Sequence, residues 1–311
     1  MKTVTTWKGV EAALKGASVA MGNFDGVHRG HQAVIDHARR DGMPLGVVTF
    51  EPHPRQVFAP DAPPFRLMNA EARRNRLERL GVDLCYELPF GPDLASLTPE
   101  AFAREVLASG LGVRHVVVGA DFRFGKGRAG TTDMLRDFGA ALGFEVTVVP
   151  LVGDEDGVFS STAIRKALSE GRVADAAEML GHRYRIDGPV LHGEKRGRAL
   201  GYPTANMTVD GLHLPKLGVY AVQVQVMDGP HKGTHDGVAS LGVRPMFGEN
   251  TPNFEVHLFD FDGDLYGRHL SVALVDYLRP EERFDSLEAL IAQMDRDSAR
   301  AREVLAAEPQ A

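Results

Sequence analysis

Hydrophobic and polar positions follow two different rhythms along the chain, and the change comes near Gly181. Before it, short apolar runs at 17–21, 44–50, 82–88, 114–119 and 144–151 predict strands. Segments of helical period at 30–40, 69–80, 98–109 and 131–142 lie between them. Strands separated by helices of this length predict an α/β domain with a doubly wound parallel sheet. The 69–80 helix is rich in arginine, which is assigned to its outer face. Two more helices are expected at 161–169 and 173–180. Residues 183–277 read differently: short alternating strands, clearest at 219–227, 235–241, 253–261 and 269–277, are broken by Gly, Asp-Gly and Pro turns. That spacing predicts a small antiparallel β-barrel. An amphipathic helix over 286–305 ends the pattern. A chain of 311 residues is long enough for two domains, and the change of rhythm divides it into 1–182 and 183–311.

Composition narrows the functional classes. Hydrophobic residues at 43% and charged residues at 25% are those of a globular protein, neither disordered nor fibrous. The net charge of −7 argues against a general nucleic-acid binder, whose domain is usually basic. It leaves room for a nucleotide site built from a few cations and backbone amides. The single cysteine, Cys85, cannot form an intrachain disulfide, so a reducing cytoplasm is the expected compartment. The opening MKTVTTWKGVEAALKG has no apolar signal segment, and no apolar run approaches the ~18 residues of a membrane span.

Three suggestive patterns fail on their own chemistry. Gly125–Gly130 matches G-x-G-x-x-G, but Phe122-Arg-Phe separates it from the preceding strand, where the dinucleotide turn must follow directly. Asp260-Phe-Asp-Gly-Asp264 lacks the glycine and the final glutamate of a calcium loop and is expected to be a hairpin turn. His231 and His235 flank a glycine turn with no zinc-type spacing around them.

Three other motifs point to phosphate chemistry. Gly22-Asn23-Phe24-Asp25-Gly-Val-His28-Arg-Gly30-His31 falls where the first long strand ends and the first helix begins. Ligands of open parallel sheets bind at the carboxyl ends of strands, and a helix start offers unpaired N–H groups to an anion. His28 and His31 can donate to anionic oxygens there, or serve simply as a turn residue and a helix cap. Ser161, Thr162 and Arg165 open a later helix and share a face, so they can clamp phosphate or merely cap the helix. In Gly201-Tyr-Pro203-Thr204-Ala-Asn206 the proline favours extended chain, which puts Thr204 and Asn206 on one side. That oxygen pair can meet Mg²⁺ or phosphate, or cap an ordinary turn. Glu255 shares a strand face with His257 and Phe259, opposite Phe254, Val256 and Leu258, and taken alone reads as a solvated surface group.

Together these strings resemble the bacterial bifunctional riboflavin kinase/FMN adenylyltransferase family, also called FAD synthetase. The resemblance rests on GNFDGVHRGH, VTFEPHPR at 48–55, VVVGADFRFGKGRAG at 116–130, FSSTAIRKAL at 159–168, G-Y-P-T-A-N and the E-V-H strand, and runs over nearly the whole chain. It implies a nucleotidyltransferase domain followed by a kinase barrel, with riboflavin, FMN and ATP as substrates and Mg²⁺ as the metal. His28 and His31 would act on the ATP phosphates in adenylyl transfer, with Gly22, Asn23, Phe24, Asp25 and Gly30 shaping that site. Ser161, Thr162 and Arg165 would meet the β- and γ-phosphates. Thr204 and Asn206 would hold ATP and magnesium in the kinase, and Glu255 would be its general base. Phe58, Asp121 and Phe124 would lie near flavin, although core packing explains the two phenylalanines equally well. Arg279 and Glu282 match a flavin-site segment only loosely, and Met246 stands where the family usually has threonine. An adenylyltransferase for another substrate, such as nicotinate mononucleotide, and a flavin- or RNA-binding regulator are the alternatives; Thr204, Asn206 and Glu255 weigh against the first, and the acidic net charge with the intact His28 and His31 pair against RNA. No nucleic-acid or membrane partner is expected, and a homo-oligomer is left open.

Overall fold

The computed structural model describes residues 1–154, 157–192, 201–246 and 249–307, with backbone alone at 154, 157–158, 244–246 and 249–251. Glu155 and Asp156 of the acidic loop, Arg198 and the side chain of Met246 therefore lie outside the described residues. The chain forms two compact units, Met1–Pro63 with Arg73–Ser160, and Pro64–Ala72 with Ser161–Ala311.

The first unit is built on six parallel strands: β1 (Lys2–Val4), β2 (Ser18–Met21), β3 (Leu45–Glu51), β4 (Leu84–Pro89), β5 (His115–Gly119) and β6 (Glu145–Val149). Their order across the sheet is β1-β4-β3-β2-β5-β6. The central strands read as unbroken apolar runs because both faces are covered: all of β2 and the first six residues of β3 are buried. The strand order reverses at β2, which has β3 on one side and β5 on the other. Such a reversal opens a crevice at the carboxyl ends of the strands, and Gly22 follows β2 there. The expected helices are present, with Phe102–Leu111 wound as a π-helix. The short edge strand β1, only Val4 of which is buried, carries too little pattern to be read from sequence. One expectation about the helix Ala70–Arg79 is corrected: Arg73 is fully buried rather than on the outer face, because carboxylates at the ends of β3 and β4 pair with it.

The second unit carries the antiparallel barrel. A short hairpin, β7 (Gly153–Asp154) and β8 (Gly157–Val158), precedes it in the chain. The barrel strands are β9 (Arg185–Pro189), β10 (Ala205–Met207), β11 (Gly218–Val226), β12 (Gly233–Met246), β13 (Glu249–Leu258) and β14 (His269–Arg279). They run in the order β10-β13-β12-β11-β14-β9. Beyond β9, the Leu191 N–H donates to the Asn206 carbonyl of β10 at 2.8 Å, which brings the two edges together. Register shifts between β11 and β14 supply the bend that closure needs. Val222, Val224, Leu241, Phe254, Val256 and Leu270 fill the interior. Ile164, Leu168, Val173 and Leu180 from the helices Ser161–Glu170 and Val173–Leu180 join the same core. The C-terminal helix Leu287–Ala307 lies outside it, with Ala301 and Leu305 against Ala221 and Phe259. The Asp260–Asp264 segment is not the expected hairpin turn. It joins β13 to β14, which are not neighbours in the sheet, and the Arg302 guanidinium grips Asp260 at 2.7 and 2.9 Å.

Candidate active sites

In the first unit the strand-to-helix turn after β2 is built under strain. Phe24, Gly26 and Val27 all have positive φ, at 52°, 88° and 43°. A β-branched residue in that region is a true outlier, and such backbone costs about 1–3 kcal/mol per residue unless its surroundings enforce it. The surroundings do so here. Gly22 N–H donates to the Val48 carbonyl at 3.1 Å, Thr49 Oγ1 donates to the Asn23 carbonyl at 3.2 Å, and Gln32 Nε2 donates to the Val27 carbonyl at 2.8 Å. Phe24 and Asp25 are buried beneath the turn. The buried Arg73 braces the strand ends: it donates to the carbonyls of Asn23 (3.5 Å) and Phe50 (3.3 Å) and pairs at 2.8 Å with both Glu51 and Glu87.

The two histidines stand at the start of the helix Arg29–His37, their rings stacked 3.7 Å apart. His28 Nδ1 accepts the His31 backbone N–H at 3.4 Å, so His28 is the helix cap as well as one wall of the pair. Gly30 between them leaves the His28 ring its place, since a Cβ there would press to 3.1 Å from two of its atoms. Capping does not account for the His31 ring. Its Nδ1 is buried with no hydrogen-bond partner among the described residues. Burial, and secondly the adjacent His28, hold the His31 pKa well below its ordinary value. A neutral His31 ring with one unsatisfied nitrogen, stacked on His28 beside a helix N-terminus, is suited to receive an anion.

The candidate flavin residues separate. Phe58 is 69% exposed at the end of the helix Pro54–Phe58, and Asp121 is exposed. Phe124 is 6% exposed and belongs to the apolar core, stacked on Phe122 and 5.7 Å from Phe102. Sequence reasoning missed the ring that links the two environments: Phe90 lies 5.6 Å from Phe58 and 5.8 Å from Phe50.

In the second unit Ser161 and Thr162 open their helix, and Arg165 Nη2 donates to Thr162 Oγ1 at 3.3 Å. Arg165 Nη1 also donates to the Phe65 carbonyl at 3.2 Å. On the barrel, Asn206 of β10 lies directly opposite Glu255 of β13. Ala205 and Met207 point into the core, as do Phe254, Val256 and Leu258, so Thr204, Asn206 and Glu255 share the other side. Thr204 Oγ1 donates to Glu255 Oε2 at 3.4 Å, and Asn253 Nδ2 donates to Glu255 Oε1 at 2.6 Å. His257 Nδ1 meets the Pro203 carbonyl at 2.9 Å and pins the approach to Thr204. Arg279 forks onto Asp297 of the C-terminal helix at 2.7–3.0 Å, and Glu282 is 3.9 Å away. The bond to Asp297 raises the Arg279 pKa further. Among the described residues no cluster of three His, Cys, Asp or Glu side chains could cage a metal.

Comparison with known proteins agrees with this layout. Residues 10–163 match the FAD synthetase family model and residues 180–305 the riboflavin kinase model. Bifunctional riboflavin kinase/FMN adenylyltransferases of Escherichia coli K12 and Pseudomonas fluorescens are 40% and 43% identical, each over 94% of both chains. The chain belongs to this bifunctional family. The Bacillus subtilis relative is 38% identical over 91% of this chain and 90% of its own. A solved structure described as a macrolide-efflux protein of Streptococcus pneumoniae shares the fold, with a TM-score of 0.81 and 34% identity over 97% of this chain and 98% of that one. The efflux description is that protein's own; among the described residues here, no helix is long and apolar enough to cross a membrane.

Proposed function

We propose that the residues described above divide the two reactions of this family between them. The chain is a riboflavin kinase and an FMN adenylyltransferase: riboflavin is phosphorylated to FMN, and FMN is adenylylated to FAD with release of pyrophosphate. In the first reaction Glu255 takes the proton of the ribityl 5′-hydroxyl while that oxygen attacks the γ-phosphorus and the bond to ADP breaks. Thr204 and Asn206 are assigned to the nucleotide in the same reaction, which their place on the same side as Glu255 supports. In the second, a phosphate oxygen of FMN attacks the α-phosphorus of ATP and the bond to pyrophosphate breaks. That nucleophile is already an anion, so the protein's task is placement and charge stabilisation. We assign this to His28, His31 and the turn 22–30, with Ser161, Thr162 and Arg165 on the β- and γ-phosphates. Phe58, Asp121 and Phe124 are assigned to flavin in this reaction, and Arg279 and Glu282, the looser match, to flavin in the kinase.

The hydroxyl of Thr204 and the amide oxygen of Asn206 are hard oxygen donors, which fits a Mg²⁺ that arrives with nucleotide phosphates and keeps most of its ligands from them and from water. When bound, the ion would neutralise phosphate charge. We further place the protein in a reducing compartment, with no nucleic acid as partner. The observation that carries the adenylyl assignment is the unsatisfied Nδ1 of His31 against the stacked His28. Replacing both (His28→Ala, His31→Ala) is expected to abolish FAD formation from FMN and leave riboflavin phosphorylation intact. Equal loss of both activities in a folded variant overturns the assignment.

A further inference from the structure

The helix Ser161–Glu170 shares its core with the barrel, and one side chain, that of His213, meets it at two points. His213 Nε2 lies 2.9 Å from the Arg165 carbonyl and 3.0 Å from Ser169 Oγ, one helical turn on. The backbone N–H of His213 donates to the Arg66 carbonyl at 2.8 Å, and Leu212 bridges to Arg66. The Arg165 guanidinium reaches the carbonyl of the residue before, Phe65. Backbone and side chain of Arg165 are therefore both located against the same short segment, and His213 is the tie that fixes them.

We infer that His213 is a positioning residue for adenylyl transfer, although it lies inside the region matched by the riboflavin kinase model. The inference rests on the reading of Arg165 as a phosphate ligand given above. A carbonyl can only accept, so His213 Nε2 carries the proton. Burial, and the nearby Arg165 charge, lower the affinity of the ring for a second one, so His213 acts as a neutral directional donor. The ring has no evident use in the kinase reaction: Thr204, Asn206 and Glu255 cluster at β10 and β13, whereas His213 belongs to the segment between β10 and β11. A residue that only supports the barrel would, when replaced, weaken riboflavin phosphorylation first. A residue that aims Arg165 would weaken the other reaction.

The test measures both half-reactions on the full chain for His213→Phe, His213→Gln and Arg165→Ala. Phenylalanine keeps the ring and removes the donor; glutamine returns an amide N–H near the Nε2 position. Loss of one neutral hydrogen bond predicts about a threefold to tenfold rise in KM for ATP in FMN adenylylation for His213→Phe, with riboflavin phosphorylation unchanged and recovery in His213→Gln. Phosphorylation on the same preparation certifies the folded barrel. Unchanged adenylylation in His213→Phe alongside loss in Arg165→Ala overturns the inference and leaves the reading of Arg165 standing. No loss in Arg165→Ala overturns both. A parallel fall of the two activities in His213→Phe and His213→Gln reduces His213 to a structural residue and overturns the inference.

Discussion

Glu255→Gln removes a charge and keeps a shape, and the structure lets its two consequences be weighed. Glu255 accepts from Asn253 at 2.6 Å and from Thr204 at 3.4 Å. A glutamine keeps the shorter bond by turning its carbonyl oxygen to Asn253; its amide nitrogen then faces the Thr204 hydroxyl, which can reorient to accept. Both charge-assisted bonds become neutral, a cost of about 1–2 kcal/mol in all. Phe254 and Val256, at 0% exposure on either side, keep β13 in the core. Loss of a general base costs about 10²–10⁴ in rate, or about 3–5 kcal/mol of transition-state stabilisation. The chemical effect exceeds the structural one, so a folded and inactive kinase is expected. FAD formation from supplied FMN should persist, while FAD formation from riboflavin should fall with the kinase, because FMN lies between them. The assay follows both half-reactions on one preparation, with circular dichroism melting as the control. Phosphorylation at near the parent rate would remove Glu255 from the mechanism.

Three further outcomes can be checked. Because the folded His31 is held well below the ordinary 6.5, the unfolded chain binds a proton there that the folded chain does not. Stability should therefore be lost as pH falls below about 6.5, less so in His31→Asn, and equal pH slopes of the melting temperature in the two proteins would contradict this. Phe58→Ala should raise KM for FMN with little change in melting, since the ring is 69% exposed, whereas Phe124→Ala, at 6% exposure, should cost about 3–5 kcal/mol of stability. A fragment of residues 183–311 should retain kinase activity, but one beginning at 161 should melt higher, because Ile164, Leu168, Val173 and Leu180 return to the core at about 1.5–3 kcal/mol each; identical melting midpoints would show that the two helices contribute nothing to the barrel.

Elements with a strong period were readable from sequence, and so were motifs tied to an element boundary. The alternation at Phe254–Leu258 is enough to place Glu255 outside the core, and the glycine-rich turn is enough to place His28 and His31 at a helix start. What stayed hidden depends on pairing across the chain. Nothing local distinguishes the buried Arg73 from Arg74 beside it; both reach Glu87, and the difference lies in Glu51 and the carbonyls of Asn23 and Phe50, which only the parallel sheet brings near. Arg279 forks onto Asp297, a partner on another element that the residues around it do not announce. Phe124 and Phe58 both stood between core and ligand, and only exposure separates them. The attachment of the 161–170 helix to the barrel core also escaped notice, since a helix that follows the last strand of a sheet carries no mark of which unit will bury it.

The contrast between the two sets of residues follows from the two nucleophiles. An alcohol is neutral and must lose a proton as it attacks, so a carboxylate held by Asn253 and Thr204 on an otherwise regular strand is sufficient equipment. A phosphate monoester needs no base, but it must approach another polyanion, and the obstacle is repulsion and disorder. Donors that must be fixed before the substrate comes are provided by rigid, costly structure: three left-handed residues in one turn, a glycine that leaves room for a histidine ring, and a buried guanidinium bracing the strand ends. On the proposed assignment, the strain at Phe24 and Val27 belongs with the reaction that has no proton to move. If phosphate binds where we propose, an imidazole kept neutral by burial would gain a hydrogen bond there, and the anion would favour its charged form. On this argument ATP should bind the adenylyl site with uptake of a proton, more tightly as pH is lowered toward the range where His31 can be charged. Calorimetric titration in two buffers of different ionisation enthalpy measures that uptake, and its persistence in His31→Asn would assign the proton to another group.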